Sequence, residues 1–138
     1  MAAITSLMRA QQIVLGRLDE VMQPYGLSFA RYELISLLSF TSDGELPLGK
    51  IGQRLQVHGS SVTGALDKLE EQDLVIRVPD PKDGRGKLAR ITDLGRKVVA
   101  ESTDALNAGP LSNLGIEADD AERLIVILRT LRRNAGDF

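Results

Sequence analysis

Between residues 73 and 92 the helical spacing that governs the rest of the chain stops. Two short runs rich in branched side chains take its place, Leu74 to Val78 and Lys87 to Ile91. They flank Pro79-Asp80-Pro81-Lys82-Asp83-Gly84-Arg85-Gly86, where two prolines, two glycines and an Asp-Gly pair specify a hairpin loop. One hairpin in an otherwise helical chain makes the expected fold mainly α with a small β element.

Around it the apolar residues keep helical spacing. Ile4, Leu7, Met8, Val14, Leu15, Leu18, Val21 and Met22 place a first helix over residues 3–22, ended by Pro24, Tyr25 and Gly26. Ser28 is placed to cap a second, over about 29–40, with Leu34, Ile35, Leu37 and Leu38 turned inward. After the polar turn Ser42-Asp43-Gly44 comes a short helix opened by Pro47 and carrying Leu48, Ile51 and Leu55. Gln56 to Gly59 is a brief turn. The next helix, from about Gly59 to Gln72, presents Val62, Ala65, Leu66 and Leu69 on one buried face. Two short helices joined by a tight turn form a helix-turn-helix. Beyond the hairpin, Thr92 caps a helix carrying Leu94, Val98, Val99, Ala105 and Leu106, which Gly109-Pro110 breaks. A last helix, about 117–134, begins with Glu117, Asp119 and Asp120 and finishes with Arg129, Arg132 and Arg133, a polarity that complements the helix dipole.

Composition narrows the function. The 138 residues suffice for one domain, and three Phe, two Tyr and no Trp leave the core to aliphatic side chains. The absence of cysteine excludes disulfides, zinc–thiolate sites and thiol switches. His58 is the only histidine, so no His-rich metal site and no Cys–His pair can form. Ser60 and Ser61 near it lack a strand-turn-helix setting and a placed acid, and no glycine-rich phosphate loop is present. The expectation is a chain that is not an enzyme and needs neither metal nor cofactor. With no signal-type N-terminus and no membrane-length apolar run, it is expected in the cytoplasm without a membrane partner. The net charge of −2 weighs against nucleic acid, but residues 77–90 carry Arg77, Lys82, Arg85, Lys87 and Arg90 against Asp80 and Asp83, a local +3.

The helix after the tight turn leaves Ser60, Thr63, Gly64, Asp67 and Glu71 outward, with Ser61 and Lys68 at the flanks. Its N-terminal half is small and hydroxylated, suited to phosphates and base edges. Asp67, Glu70 and Glu71 would be repelled by a phosphate backbone, so such a helix enters a groove by its N-terminal end. Gly59 and Gly64 fit close backbone approach to DNA as well as they fit tolerated drift. In the hairpin, Arg85 suits a minor groove, with Lys82 and Lys87 beside it. Asp83 can pin the loop or the Arg85 guanidinium. The plain alternative for these charges is solubility. His58 is expected to be an ordinary turn residue, placed to cap the following helix or to meet phosphate.

The stretch from Ile51 to Val75, followed by Arg77, Asp83-Gly-Arg85 and Ile91-Thr92-Asp-Leu-Gly95, resembles the MarR (multiple antibiotic resistance regulator) family across nearly the whole chain. It departs from the family pattern at His58-Gly59, at Asp73 where glycine is common, and at Ile91 where leucine is usual. The resemblance implies a single domain over 1–138. A winged helix-turn-helix lobe would occupy residues 28–92, and dimerisation helices 3–22 and 93–135. It implies an obligate homodimer, which the amphipathic terminal helices support independently. It further implies a sequence-specific, ligand-responsive repressor of a palindromic operator, with double-stranded DNA, a second copy and a small organic effector as partners. Tyr25, Phe29 and Tyr32 could line the effector pocket, against the plainer expectation of core packing. The competing function is a winged-helix protein–protein module that does not bind DNA.

Overall fold

The computed structural model describes residues 1–137. In chain order these form α1 (Ala2–Met22), a 3-10 turn (Gln23–Tyr25), α2 (Phe29–Ser39), β1 (Glu45–Pro47), α3 (Leu48–Leu55), α4 (Gly59–Glu71), β2 (Val75–Asp80), β3 (Asp83–Ile91), α5 (Asp93–Ala108) and α6 (Ala118–Asn134). The starts of α2, α4 and α5 follow side-chain caps. The Ser28 hydroxyl accepts from the Arg31 N–H at 3.2 Å and Thr92 Oγ1 from the Gly95 N–H at 3.0 Å. His58 Nδ1 accepts from the Ser60 N–H at 3.2 Å, so the histidine of the turn is the cap of α4.

Position 73 has φ +59°, a left-handed conformation that explains why glycine would be at home there; aspartate is among the few other residues that adopt it readily. Gln56, which ends α3, is also left-handed at φ +55°. These two residues set the sharp turns on either side of α4.

The hairpin differs from expectation in extent. Its strands run on through most of the proline- and glycine-rich segment, leaving only Pro81 and Lys82 as the turn. Pairing is regular from Val75↔Ile91 to Pro79↔Lys87, then jumps to Asp80↔Asp83. Gly84, Arg85 and Gly86 are thereby left over as a bulge in β3. Arg85 is consequently on this bulge rather than in the turn. Pro79 is compatible with pairing because β2 is an edge strand of the β1-β3-β2 sheet.

A third strand was not expected. The turn after Thr41 leads into β1, which pairs antiparallel with β3 from Glu45↔Arg90 to Pro47↔Leu88. Pro47 is thus the last strand residue and the N-cap of α3 rather than its first helical residue. Three residues are too few for an alternating pattern to register, so propensity alone could not have found β1. Its anchor is the Arg90 Nε to Glu45 Oε2 ion pair at 2.6 Å.

The core is the aliphatic cluster that the composition requires, including Leu34, Ile35, Leu38, Ile51, Leu66, Leu69, Val75, Ala89 and Leu106. It joins α2, α3, α4, the sheet and α5 into one lobe. At its edge the backbone of α5 comes close to the chain before β2: a Cβ built on Gly95 would stand 2.2 Å from the Leu74 carbonyl oxygen. The outer helices behave differently. α1 buries Leu18 and Met22 at its C-terminal end, yet leaves Ile4, Leu7, Met8 and Ile13 exposed. α6 buries no residue, and Leu124, Ile125, Val126, Ile127 and Leu131 are open to solvent.

Candidate nucleic-acid interface

The exposed face of α4 begins at its N-terminus, where Gly59, Ser60, Thr63 and Gly64 are all accessible. No atom lies within 4 Å of a Cβ built on Gly59 or Gly64, so nothing inside the protein requires glycine at either place. Thr63 Oγ1 donates to the Gly59 carbonyl at 3.2 Å, and Ser60 Oγ lies 2.9 Å from His58 Nδ1. Both hydroxyls are oriented locally by the chain. Ser61 stands elsewhere on the helix, against a cleft between α2 and α4. Lys68 is exposed and lies 3.8 Å from Glu71, one turn on.

The acids in the second half of α4 are handled in a way the sequence did not reveal. Arg77, on β2, places one guanidinium nitrogen 2.6 Å from Asp67 Oδ1 and 2.7 Å from Glu70 Oε2. Its backbone N–H donates to Glu70 Oε1 at 2.9 Å. The Arg77 hydrogen bond holds the Glu70 carboxyl below its ordinary value, against a smaller opposing effect of burial. The same contacts, Glu70 first and Asp67 second, push the Arg77 guanidinium up. Asp67 and Glu70 are therefore bound by a cation of the protein itself, and Arg77 is a clamp between β2 and α4 rather than a free wing charge. Two acids three residues apart on a helix, followed by an arginine at the start of the next strand, is the signal that could have found it.

Of the five cations between 77 and 90, Arg77 and Arg90 are spent on internal pairs. Lys82, Arg85 and Lys87 are exposed and form no ion pair among the described residues. Two aspartates shape the loop that carries them. Asp80 Oδ1 accepts from the Lys82 N–H at 2.9 Å, and Asp83 Oδ1 from the Arg85 N–H at 3.1 Å. A Cβ on Gly86 would stand 3.0 Å from Asp83 Oδ2, so the small residue lets this aspartate fold over the bulge. Asp83 pins the loop backbone.

A groove of about 440 Å³ separates the start of α3 from the hairpin, and Lys50, Gln53 and Lys87 contribute to its walls. Lys50 and Gln53 were not among the candidate residues; the groove brings them to the hairpin only because β1 draws the start of α3 against β3.

Tyr25, Phe29 and Tyr32 do not form one pocket. The rings of Phe29 and Tyr32 stack at 5.7 Å. Tyr32 Oη is 2.8 Å from Thr103 Oγ1 on α5, and Tyr25 Oη donates to the Glu101 carbonyl at 3.4 Å. These tyrosines tie the α1–α2 corner to α5. Phe29 alone of the three lines the cleft of about 220 Å³ between α2 and α4.

The described residues contain no cluster of three or more metal-ligating side chains and no helix long and apolar enough to cross a membrane.

Residues 25–86 match the model of the MarR family. Sco5413 from Streptomyces coelicolor, a MarR family transcriptional regulator of known structure, is 51% identical and superposes with a TM-score of 0.92, covering 100% of this chain and 96% of its own. The transcriptional repressor CouR, solved bound to a 23-mer DNA duplex, is 25% identical with a TM-score of 0.79 over 91% of this chain and 89% of its own. The HTH-type transcriptional regulator MhqR of Bacillus subtilis is 32% identical over 89 residues, 64% of this chain, and the match spans 60% of MhqR's length. By its fold, its helix-turn-helix and wing, and its likeness over its whole length to Sco5413, the chain belongs to the MarR family of DNA-binding transcriptional regulators.

Proposed function

We propose that this regulator acts as a cytoplasmic homodimer that represses transcription from a palindromic operator and releases it on binding a small organic effector. The observation that carries the DNA-binding arrangement is the division of cations described above. Arg77 pairs with Asp67 and Glu70 in the second half of α4, while Arg85, Lys82 and Lys87 stay free on the hairpin and the exposed N-terminal face of the same helix carries no acid. In this reading Gly59, Ser60, Thr63 and Gly64 enter the major groove, with Ser61 and Lys68 at its margins. Arg85 and its two lysines meet phosphate or the adjacent minor groove, and Asp83 holds the loop in shape.

The dimer is supported by the apolar residues of α1 and α6 that the chain leaves exposed, since side chains of this size gain about 1.5–3 kcal/mol each when fully buried. A symmetric partner would cover both stripes at once. Release by an effector fits a chain that contains no cysteine and so has no thiol to oxidise. The competing protein–protein role would leave the unpaired hairpin cations without a task.

The deciding experiment is selection of bound sequences from a random duplex pool by the purified protein, followed by titration at several salt concentrations. A selected sequence with two inverted half-sites about one helical turn apart, bound by a particle of dimer mass, is the expected result. No enrichment, or salt-independent binding, would refute it.

A further inference from the structure

The cleft between α2 and α4 has a chemical character of its own. Its walls are apolar: Leu15 from α1, Phe29 and Leu34 from α2, Leu55 at the end of α3, and Ala65 from α4. Glu33, one turn beyond Phe29 on α2, is the only ionisable side chain among the ten residues that line it. Among the described residues no hydrogen bond or ion pair engages the Glu33 carboxylate. Glu33 is exposed to solvent on its outer side, and the partial desolvation by the cleft walls pushes its carboxyl above the ordinary value.

A carboxylate in that position sets the charge of what can enter. A carboxylate ligand would meet a like charge there, while an ammonium ion would supply the missing partner. We propose that the cleft takes a small apolar amine, cationic at neutral pH, whose ammonium group pairs with Glu33 while its body lies between Leu15, Phe29 and Ala65. At about 220 Å³ the space suits a ligand of one ring with a short arm.

This inference rests on the effector-responsive reading and gives that effector its charge. The cleft also has the right place for the task. Ser61 and Ala65 belong to α4 and Leu15 to α1, so an occupant touches the DNA-reading helix and the first helix together. It shifts DNA affinity to the extent that it binds one arrangement of those helices better than the other.

The test is calorimetric titration of the full chain with phenethylamine, 2-phenylethanol and phenylacetate, three probes of similar shape that are cationic, neutral and anionic. The amine is expected to bind about fivefold tighter than the alcohol, and phenylacetate weakest. In Glu33→Gln the amine should lose that advantage, while the alcohol's affinity stays within about threefold. The comparison of probes on the wild-type protein needs no variant, so it stands if Glu33→Gln folds poorly. An amine that binds no tighter than the alcohol, or equally well to Glu33→Gln, overturns the proposal even where DNA binding is intact. Amine binding that depends on Glu33 but never releases duplex DNA supports the ligand class and refutes the effector-responsive reading instead.

Discussion

Arg85→Ala isolates the wing's electrostatic contribution. The Arg85 side chain is exposed and, among the described residues, forms no hydrogen bond or ion pair; Asp83 holds its backbone N–H. Its loss should therefore move stability by no more than about 0.5 kcal/mol. Its effect on DNA binding is larger. Each neutralised phosphate contributes roughly 0.9 to the slope of log affinity against log salt, so a symmetric dimer that loses two contacts loses about 1.8. At about 0.1 M salt the release of those counterions is worth up to about sixtyfold in affinity. Between about 50 and 200 mM, a fourfold rise, the wild type should weaken about twelvefold more than the variant does. Fluorescence anisotropy with a labelled duplex over that range measures both quantities. Asp83→Ala separates position from charge: it releases the Arg85 backbone but keeps the cation, so affinity should fall with the slope nearly unchanged. Lys68→Ala should have the smallest effect, because Lys68 already lies near Glu71. Unchanged affinity and slope in Arg85→Ala would remove the wing from the mechanism, and tighter binding by Asp83→Ala would show that Asp83 only repels phosphate.

Four further outcomes are expected. Arg77→Ala should cost about 1 kcal/mol of stability in urea denaturation, since the pair is partly exposed, and should weaken DNA binding by about tenfold although Arg77 faces its own protein; Arg77→Lys should restore little of either, because its ammonium ends one bond short of the terminal guanidinium nitrogen that meets both acids. Unaltered DNA affinity in both variants would refute the clamp. The Glu70 carboxyl is held below its ordinary 4.5 in the folded chain, so its contribution to stability is present above that value and lost as pH falls through the lower folded one. The stability difference between wild type and Glu70→Gln should accordingly shrink on acidification from about pH 7 to about 3, and a constant difference would contradict the pairing. Gly95→Ala drives a Cβ against the Leu74 carbonyl, a backbone group that cannot swing aside, and should destabilise by about 3 kcal/mol; an unchanged denaturation midpoint would refute the close approach. Ile127, 63% exposed on α6, should serve the dimer, so Ile127→Asp should abolish the dimer mass in light scattering, and a retained dimer would place the interface elsewhere.

Much of this architecture was legible in the sequence because its signals are local. Ser28 and Thr92 cap the helices they precede, and the apolar spacing of Val62, Leu66 and Leu69 fixes the buried face of α4 and so the face left outward. What stayed hidden depends on residues far apart in the chain. β1 exists because β3 offers it an edge, and no pattern within Glu45–Pro47 announces it. The bulge that carries Arg85 follows from a register jump between Asp80 and Asp83, which composition alone reads as a longer loop. The tyrosines drew attention as a cluster of aromatics, but Thr103 and the Glu101 carbonyl, more than seventy positions along, decide where Tyr32 and Tyr25 turn.

The charge balance shows the same dependence on the fold. A net charge of −2, with Asp67, Glu70 and Glu71 on the helix meant for DNA, argues against binding when the residues are only counted. Folded, β2 crosses beside the second half of α4 and Arg77 binds two of those acids together. Lys68 lies near the third. The anions of the second half of α4 are thus already paired, and the free cations of residues 77–90 lie on the β3 bulge, beside it and in the turn. An acidic chain can address a polyanion on these terms because the field that matters decays within about 10 Å at 0.1 M salt, so local pairing outweighs the total. Breaking the Arg77 pairing should therefore be felt by DNA even though no cation is taken from the DNA-facing surface.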